Sequence, residues 1–229
     1  MGEINLGAAF WALAALGVAA AVAYGTYFLE RPKTSARALV KTLFMAAFAG
    51  ALISAGAPLP LVAAIVLSGA GDFFLAFDNK WLLPLGILSF LLAQLLYVLM
   101  FGAIWFFSGD NSPLWPRYVA MALVIATSIG FVVWMAPKLG WMALAVVPYA
   151  IAITAMGVTA MWLPWVGWPA SLGAMLFLVS DFVLAAELFR LPPDSPVRRI
   201  TAPVVWWTYA SAQVGIVAGL VLLVQAGGG

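Results

Sequence analysis

Long apolar runs broken by short polar stretches constrain this chain more than any other feature of its sequence. A membrane-crossing helix needs about 20 mostly apolar residues, and the 229-residue chain contains eight runs of about that length. Hydrophobic residues make up 66% of the chain and charged residues only 8%, too few to cover a water-soluble fold. The composition therefore excludes a soluble domain, a disordered chain and a nucleic-acid binder. The predicted spans are residues 4–28, 35–55, 60–77, 84–107, 115–134, 139–161, 165–188 and 200–225.

These runs predict an all-α fold, a polytopic membrane protein in which residues 1–229 form one bundle of eight transmembrane helices. Lys and Arg residues predict its orientation, because cytoplasmic loops carry an excess of them. All but one of the ten fall at one set of loops or helix ends, and only Arg117 falls at the other. Both termini are therefore expected outside, and a bacterial inner membrane is the expected location. The residues on the cytoplasmic side are Arg31, Lys33, Arg37, Lys41, Lys80, Lys138, Arg190, Arg198 and Arg199.

The chain contains neither cysteine nor histidine. Disulfides, thiol nucleophiles, zinc–thiolate sites and every catalytic triad or metal site that depends on histidine are therefore absent. Any acid–base chemistry has to come from Asp, Glu, Lys, Tyr or water. We expect no metal and no cofactor, and the oligomeric state is left open.

Two carboxylates stand where a membrane span should be apolar. Asp72 lies inside the third predicted span and Asp181 inside the seventh. A carboxylate in the middle of a span costs roughly 2.5–3.5 kcal/mol on insertion scales. Such a cost points by default to a function, although a carboxylate tied to Tyr, Ser or Lys to hold helices together is the alternative.

The two aspartates have matching surroundings. Residues 71–76 read Gly-Asp-Phe-Phe-Leu-Ala and residues 180–185 read Ser-Asp-Phe-Val-Leu-Ala, so both contain Asp-Phe-x-Leu-Ala. The aspartates are 109 residues apart, and a Pro-Lys pair recurs at a similar offset, at 32–33 and 137–138. This pattern predicts a weak four-plus-four internal repeat whose halves have the same orientation, related by an axis along the membrane normal. Chance similarity in an apolar sequence is the alternative.

Helix geometry places both aspartates in the cytoplasmic half of the membrane. At 1.5 Å of rise per residue, Asp72 lies roughly 8 Å and Asp181 roughly 10 Å from the cytoplasmic end of its span. Other polar side chains fall at similar or somewhat greater depth, and helical spacing puts several on common faces. A polar chamber in the inner-leaflet half of the bundle is therefore expected. Its predicted substrate-binding residues are Lys41, Gln94, Tyr97, Ser180, Tyr209 and Gln213.

Two carboxylates in one low-dielectric pocket would not both be ionised, so one is expected to hold a proton while the other is an anion. This arrangement supplies a general acid together with a carboxylate that stabilises a cation or activates water. Acid-triggered hydrolysis of an ether or acetal-like bond needs both groups. A vinyl ether fits: protonation at carbon gives an oxocarbenium ion, water adds, and the hemiacetal collapses to an aldehyde and an alcohol.

Four stretches of the sequence together resemble one membrane-protein family, the YhhN-type lysoplasmalogenases, which are small eight-span proteins. The resemblance runs from Lys41 to Gln213, over most of the chain. The stretches are Gly71-Asp72 with Leu75, Phe90-Leu-Leu-Ala-Gln-Leu-Leu-Tyr97, Gly173-Ala-Met-Leu-Phe-Leu-Val-Ser-Asp181 and Tyr209-Ala-Ser-Ala-Gln213.

The resemblance implies hydrolysis of the vinyl ether bond of lysoplasmalogens, which gives a fatty aldehyde and glycerophosphoethanolamine or glycerophosphocholine. It puts Asp72 and Asp181 at the catalytic positions and a lysophospholipid in the surrounding polar pocket, which would contain Lys41, Tyr97, Tyr209 and Gln213. The chain departs from the family pattern at two positions, with Gln94 where His is expected and Thr42 where Pro is expected. Because Gln cannot transfer a proton, any role of a histidine at position 94 is absent here.

Basic residues at the inner surface are candidate ligands for a lipid headgroup. In a lysoplasmalogen the vinyl ether lies just beneath the glycerol, near the depth expected for the two aspartates. Arg190, Arg198 and Arg199, with Lys41, are then placed to meet the phosphate. Ordinary anchoring at the cytoplasmic surface is the alternative for each arginine.

Three other functions compete with the hydrolase. A small proton-coupled transporter also uses intramembrane carboxylates and internal repeats, and it predicts uptake that follows a pH gradient. An intramembrane aspartyl protease fits Gly69-Ala70-Gly71-Asp72, but its partner Asp should precede that motif, whereas Asp181 follows it. The third alternative is a structural or accessory membrane protein.

Overall fold

The computed structural model describes residues 4–32, 34–77, 79, 81–108, 115–192 and 194–227. The predicted loop cations Lys33 and Lys80 lie outside these residues. The described chain is helical, and a π-helical turn (Tyr24–Phe28) continues the first helix. The helices are α1 (Ala8–Ala23), α2 (Ser35–Ser54), α3 (Leu59–Leu75), α4 (Leu82–Ser108), α5 (Trp115–Leu139), α6 (Ala143–Ala160), α7 (Trp168–Phe189) and α8 (Arg198–Gly227).

The all-α prediction is confirmed, and the chain is an integral membrane protein. Six helical segments of the described chain are long and apolar enough to cross a membrane, whereas α3 is apolar but shorter. The 46-residue segment Trp115–Ala160 contains both α5 and α6, between which Gly140 adopts a φ of +51°. The segments are Ala8–Phe28, Ser35–Ser54, Leu82–Ser108, Trp115–Ala160, Trp165–Phe189 and Arg198–Ala226.

One helix extends several residues beyond its predicted span. The fifth span was expected to end at residue 134, before Pro137, yet α5 continues to Leu139 with the proline inside it. Proline removes one backbone hydrogen bond and crowds the preceding turn, but apolar surroundings favour continued helix because unpaired backbone groups are costly there. The helix ends instead where Gly140 takes up its left-handed conformation.

The chain divides into two compact units, residues 1–97 with 224–229 and residues 98–223. In the first unit, α1 packs on α2 and α2 packs on α3. Glycines allow close contact, because a Cβ atom at Gly69 would lie 2.9 Å from Met45 and one at Gly71 would lie 2.5 Å from Phe90. Both glycines of the protease-like Gly-x-Gly-Asp stretch therefore serve helix packing.

The turn after α2 positions α3, which carries Asp72. Gly56 has a φ of +68°, the left-handed conformation that favours glycine. The Ala57 N–H donates to the Leu52 carbonyl at 2.9 Å, and the Gly56 N–H donates to the Ile53 carbonyl at 3.1 Å. This pair of bonds is the Schellman motif, which satisfies the last carbonyls of α2.

In the second unit, α5, α6 and α7 contact one another, and glycines allow the backbones of α7 and α8 to approach closely. A Cβ atom at Gly173 would lie 2.6 Å from the Ala212 carbonyl oxygen and 2.8 Å from the Ile216 nitrogen. Gly215 on α8 is equally crowded, since its Cβ atom would lie 2.8 Å from the Pro169 carbonyl oxygen. Small residues at such contacts are typical of helix pairs in membranes.

We expect Gly173→Ala to destabilise the protein by about 1–3 kcal/mol, because the new methyl group meets backbone atoms that cannot rotate away. Gly130→Ala is the matched control, since Gly130 is also helical and a Cβ atom there meets nothing within 4 Å. Alanine has the better helix propensity, so the control should keep or slightly raise the melting temperature. Equal melting temperatures for the two variants in detergent would contradict the close α7–α8 contact.

Candidate active site

Asp72 forms an ion pair across two helices of the first unit. The Lys41 ammonium nitrogen on α2 lies 2.9 Å from the Asp72 Oδ1 atom on α3. The Asp72 side chain is 2% exposed and that of Lys41 is 16% exposed, so the pair is largely removed from solvent. The ammonium compensates the negative charge, which makes an anionic carboxylate tolerable in this apolar surrounding.

Fully buried polar side chains accompany this ion pair in the first unit. Ser68 lies one turn before Asp72 on α3, and the Tyr97 hydroxyl faces the Ser68 hydroxyl. Gln94 lies one turn before Tyr97 on α4, and it is also fully buried. The predicted substrate-binding residues of this unit lie on the helices before and after α3. They are the half-buried Lys41 on α2 and the fully buried Gln94 and Tyr97 on α4.

Two further polar residues of the first unit were not among the predicted site residues. Arg37 lies one turn before Lys41 on α2, and its Nε and Nη2 atoms both donate to the Tyr24 hydroxyl at 3.2 Å. Tyr24 is buried, in the π-helical turn that follows α1. The spacing of Arg37 and Lys41 indicated a common helix face, but nothing in the sequence indicated that Tyr24 would meet it.

Asp181 on α7 accepts a hydrogen bond from the Tyr149 hydroxyl on α6, through its Oδ2 atom. Asp181 is buried, whereas Tyr149 is half-buried. Tyr149 was missed by the sequence reasoning, because one tyrosine within an apolar helix is ordinary in composition. The Pro148-Tyr149 pair in the middle of the predicted sixth span was the available signal.

Asp72 and Asp181 therefore each have a partner on the helix that precedes them. Lys41 comes 31 residues before Asp72, and Tyr149 comes 32 residues before Asp181. The partners differ in charge, since one is an ammonium and the other is a neutral hydroxyl. An ammonium favours the carboxylate anion more strongly than a neutral hydrogen-bond donor does.

The other predicted residues near Asp181 are buried at the contact of α7 with α8. The Ser180 hydroxyl donates to the Val205 carbonyl at 2.9 Å, so Ser180 ties the two helices together. The Tyr209 ring packs edge-on against Phe177, with 5.5 Å between ring centroids. Gln213 lies one turn further along α8 and is fully buried.

The arginines predicted to meet a lipid headgroup have different surroundings. Arg190 donates to the Trp134 carbonyl and lies over the Trp134 ring, 4.3 Å from its centroid. Arg198 donates to carbonyls near the end of α7, including that of Glu187 at 2.5 Å and that of Pro192 at 3.0 Å. Both arginines therefore serve the fold of their own unit, whereas Arg199 is exposed.

A third buried carboxylate lies near the end of α7. Glu187 is 7% exposed, and it accepts a hydrogen bond from the Thr201 hydroxyl on α8. Glu187 was not among the predicted site residues. No group of three or more acidic side chains that could hold a metal ion occurs among the described residues.

Comparison with known proteins gives consistent matches over most of the chain. The YhhN family model matches residues 36–220. A protein named lysoplasmalogenase from Mycobacterium bovis is 32% identical over 219 residues, covering 87% of this chain and 80% of the relative. A lysoplasmalogenase from Mycobacterium tuberculosis matches with the same identity and coverage. No solved structure gives a significant match.

The matched region contains both buried aspartates, both of their partners and all the predicted substrate-binding residues. The resemblance inferred from the four sequence stretches is therefore confirmed, and the chain belongs to the YhhN family.

Proposed function

We propose that this membrane protein is a lysoplasmalogenase. It hydrolyses the vinyl ether bond of lysoplasmenylethanolamine or lysoplasmenylcholine to a fatty aldehyde and the glycerophospho-base. The relatives named lysoplasmalogenase, which match 87% of the chain, support the reaction class. The observation that supports the proposed chemistry is that both aspartates are buried and have different partners. Asp72 is paired with Lys41, and Asp181 accepts a hydrogen bond from the Tyr149 hydroxyl.

The different partners suggest different roles for the two carboxylates. Asp72 is the anion, because Lys41 lies 2.9 Å from it and compensates its charge. Asp181 carries the transferable proton, and the Tyr149 hydroxyl donates to its Oδ2 atom. When that proton leaves, the hydrogen bond from Tyr149 becomes charge-assisted and therefore stronger.

The reaction then proceeds in three balanced steps. Asp181 protonates the vinyl carbon that is β to the ether oxygen, which leaves an oxocarbenium ion that the Asp72 anion stabilises. Water adds to the carbon bonded to that oxygen and gives up a proton, which restores the acid. The resulting hemiacetal breaks its bond to the glycerol oxygen, which takes up the proton that the hemiacetal hydroxyl gives up, and the aldehyde leaves.

Buried and half-buried polar side chains of the two units are the proposed substrate-binding residues. Lys41, Gln94 and Tyr97 belong with Asp72, and Tyr209 and Gln213 belong with Asp181. Ser180 has a positioning role in this scheme, because its hydroxyl is bonded to α8.

The proposed topology has eight spans, with both termini outside the inner membrane of a bacterium. Segment Trp115–Ala160 supports two spans. Its helices α5 and α6 contact each other, and one continuous helix of 46 residues would be about 69 Å long, too long for a single crossing. The shorter α3 counts as a span because its 17 residues lie at the lower limit for crossing. The similar spacings from Lys41 to Asp72 and from Tyr149 to Asp181 support the four-plus-four repeat.

Aldehyde release from a vinyl-ether lysophospholipid by purified protein in detergent tests the proposed function. The saturated alkyl-ether lysophospholipid is the matched control, because it has no double bond to protonate. We expect aldehyde from the first substrate and none from the second. Detergent micelles hold no pH gradient, so turnover there also excludes a mechanism that depends on transport. Folded protein that releases no aldehyde would overturn the proposal and favour the transporter.

A further inference from the structure

We propose that Arg37, together with Arg31, binds the phosphodiester of the lysophospholipid above the Asp72–Lys41 pair. This inference rests on the proposed function, for which it names the headgroup subsite. It moves that subsite from the arginines after α7 to the junction of α1 and α2. All the residues involved belong to the first compact unit.

The Arg37 guanidinium is held in place by its own unit. Its Nε and Nη2 atoms donate to the Tyr24 hydroxyl at 3.2 Å, and its Nη1 atom donates to the Arg31 carbonyl at 2.5 Å. A guanidinium has five N–H groups, so these contacts leave two of them for another acceptor. A planar guanidinium fixed in this way is suited to a phosphodiester, whose oxygens accept two parallel hydrogen bonds.

Arg31 adds a second cation at the same end of α2. Its guanidinium carbon lies 3.7 Å from the centroid of the Tyr27 ring, so the group is stacked on an aromatic face. Stacking on a ring leaves the N–H groups at the guanidinium edge available. Arg31 is exposed and Arg37 is half-buried, which places the pair of cations where a headgroup has access.

The vertical spacing on α2 matches the substrate. Arg37 and Lys41 are four residues apart, which is one helical turn and about 6 Å along the axis. In a lysoplasmalogen, six covalent bonds separate the vinyl carbon that is bonded to the ether oxygen from the phosphorus, a reach of about 7 Å when extended. A phosphate on Arg37 therefore puts the vinyl ether at the level of Lys41, whose ammonium lies 2.9 Å from Asp72.

The headgroup arginines predicted from the sequence belong to the second unit and do not share a helix with Lys41. The guanidinium of Arg190 is bonded to the Trp134 carbonyl, and that of Arg198 is bonded to three carbonyls around the end of α7. Arg199 is exposed and has no side-chain hydrogen bond among the described residues. It is therefore the matched control for a mobile surface arginine.

Arg37→Gln tests the subsite with two substrates in phospholipid-free detergent: lysoplasmenylcholine and the corresponding 1-alkenylglycerol, which lacks the phosphate. We expect KM for the phosphate-containing substrate to rise by about tenfold or more, because a charge-assisted contact is lost. Turnover of the alkenylglycerol should change less than twofold. Arg199→Gln should change neither value. Arg37→Lys keeps the positive charge but not the planar guanidinium, and it should give an intermediate KM for lysoplasmenylcholine.

Equal losses on both substrates would overturn the subsite, because Arg37 would then be structural. Unchanged kinetics with lysoplasmenylcholine would overturn it as well. If Arg37 binds bulk anionic lipid instead, the variant would lose thermal stabilisation by added phosphatidylglycerol while its preference between the two substrates stayed the same. Wild-type protein that cleaves neither substrate would refute the proposed function. The subsite would then be tested by binding of the uncleavable alkyl-ether lysophosphocholine. Binding lowered about tenfold by Arg37→Gln would support the subsite, and unchanged binding would overturn the subsite.

Discussion

Replacing Asp181 with asparagine should lower the rate of aldehyde release by roughly 100-fold or more, because asparagine has no proton to give to the vinyl carbon. The side chains are nearly isosteric, so the Tyr149 hydroxyl keeps an oxygen to which it can donate. The loss should therefore appear in kcat, with little change in the melting temperature. Asp72→Asn should cause a loss of the same order, since the oxocarbenium ion would lose its anion.

Tyr149→Phe distinguishes a proton-donating Asp181 from one that merely holds helices together. This change removes the hydroxyl that stabilises the carboxylate after proton transfer, and we expect kcat to fall by about tenfold. Tyr118→Phe is the control, because Tyr118 is exposed and its ring packs against Trp162. Near-normal turnover by folded Asp181→Asn would refute the acid role, whatever Tyr149→Phe shows.

Hydropathy predicted the helices of this chain well, because the membrane imposes both their length and their internal hydrogen bonding. The predicted span 35–55 compares with Ser35–Ser54 in the structure, and span 84–107 compares with Leu82–Ser108. The fifth predicted span stopped at residue 134, whereas α5 continues through Pro137 to Leu139. In a soluble helix such a proline often marks the boundary, whereas here the helix continues past it.

The two aspartates could be found from sequence because a carboxylate inside an apolar span is anomalous. Their partners were harder to find. Lys41 was placed in the polar pocket but not recognised as the ion-pair partner of Asp72, and Tyr149 was missed. Which side chains meet across two helices depends on helix rotation and crossing angle, and neither quantity is set by hydropathy.

The contacts of the arginines could not be predicted from the sequence either. Charge bias placed Arg37, Arg190 and Arg198 at one set of helix ends without distinguishing among them. In the structure, Arg190 and Arg198 donate to backbone carbonyls, whereas Arg37 is held by a tyrosine hydroxyl and one carbonyl. The partners of each guanidinium, a tyrosine hydroxyl for Arg37 and backbone carbonyls for the other two, could not be predicted from charge bias.

Removing one partner of the Lys41–Asp72 ion pair should have a large effect on the stability of the fold. Lys41→Met should lower the free energy of unfolding by about 3–5 kcal/mol, because it leaves a buried carboxylate without its compensating charge. The double variant Lys41→Met/Asp72→Asn should regain most of that loss, since no uncompensated charge remains. Thermal unfolding in detergent, followed by the fluorescence of the eleven tryptophans, measures both changes.

Activity of the double variant then separates the two explanations for the ion pair. If Lys41 and Asp72 only tie α2 to α3, the restored fold should restore aldehyde release as well. If Asp72 is the anion that stabilises the oxocarbenium ion, the double variant should be stable and still at least 100-fold slower than the wild type. A stable and fully active double variant would therefore remove Asp72 from the reaction while leaving its ion pair with Lys41 as a structural contact.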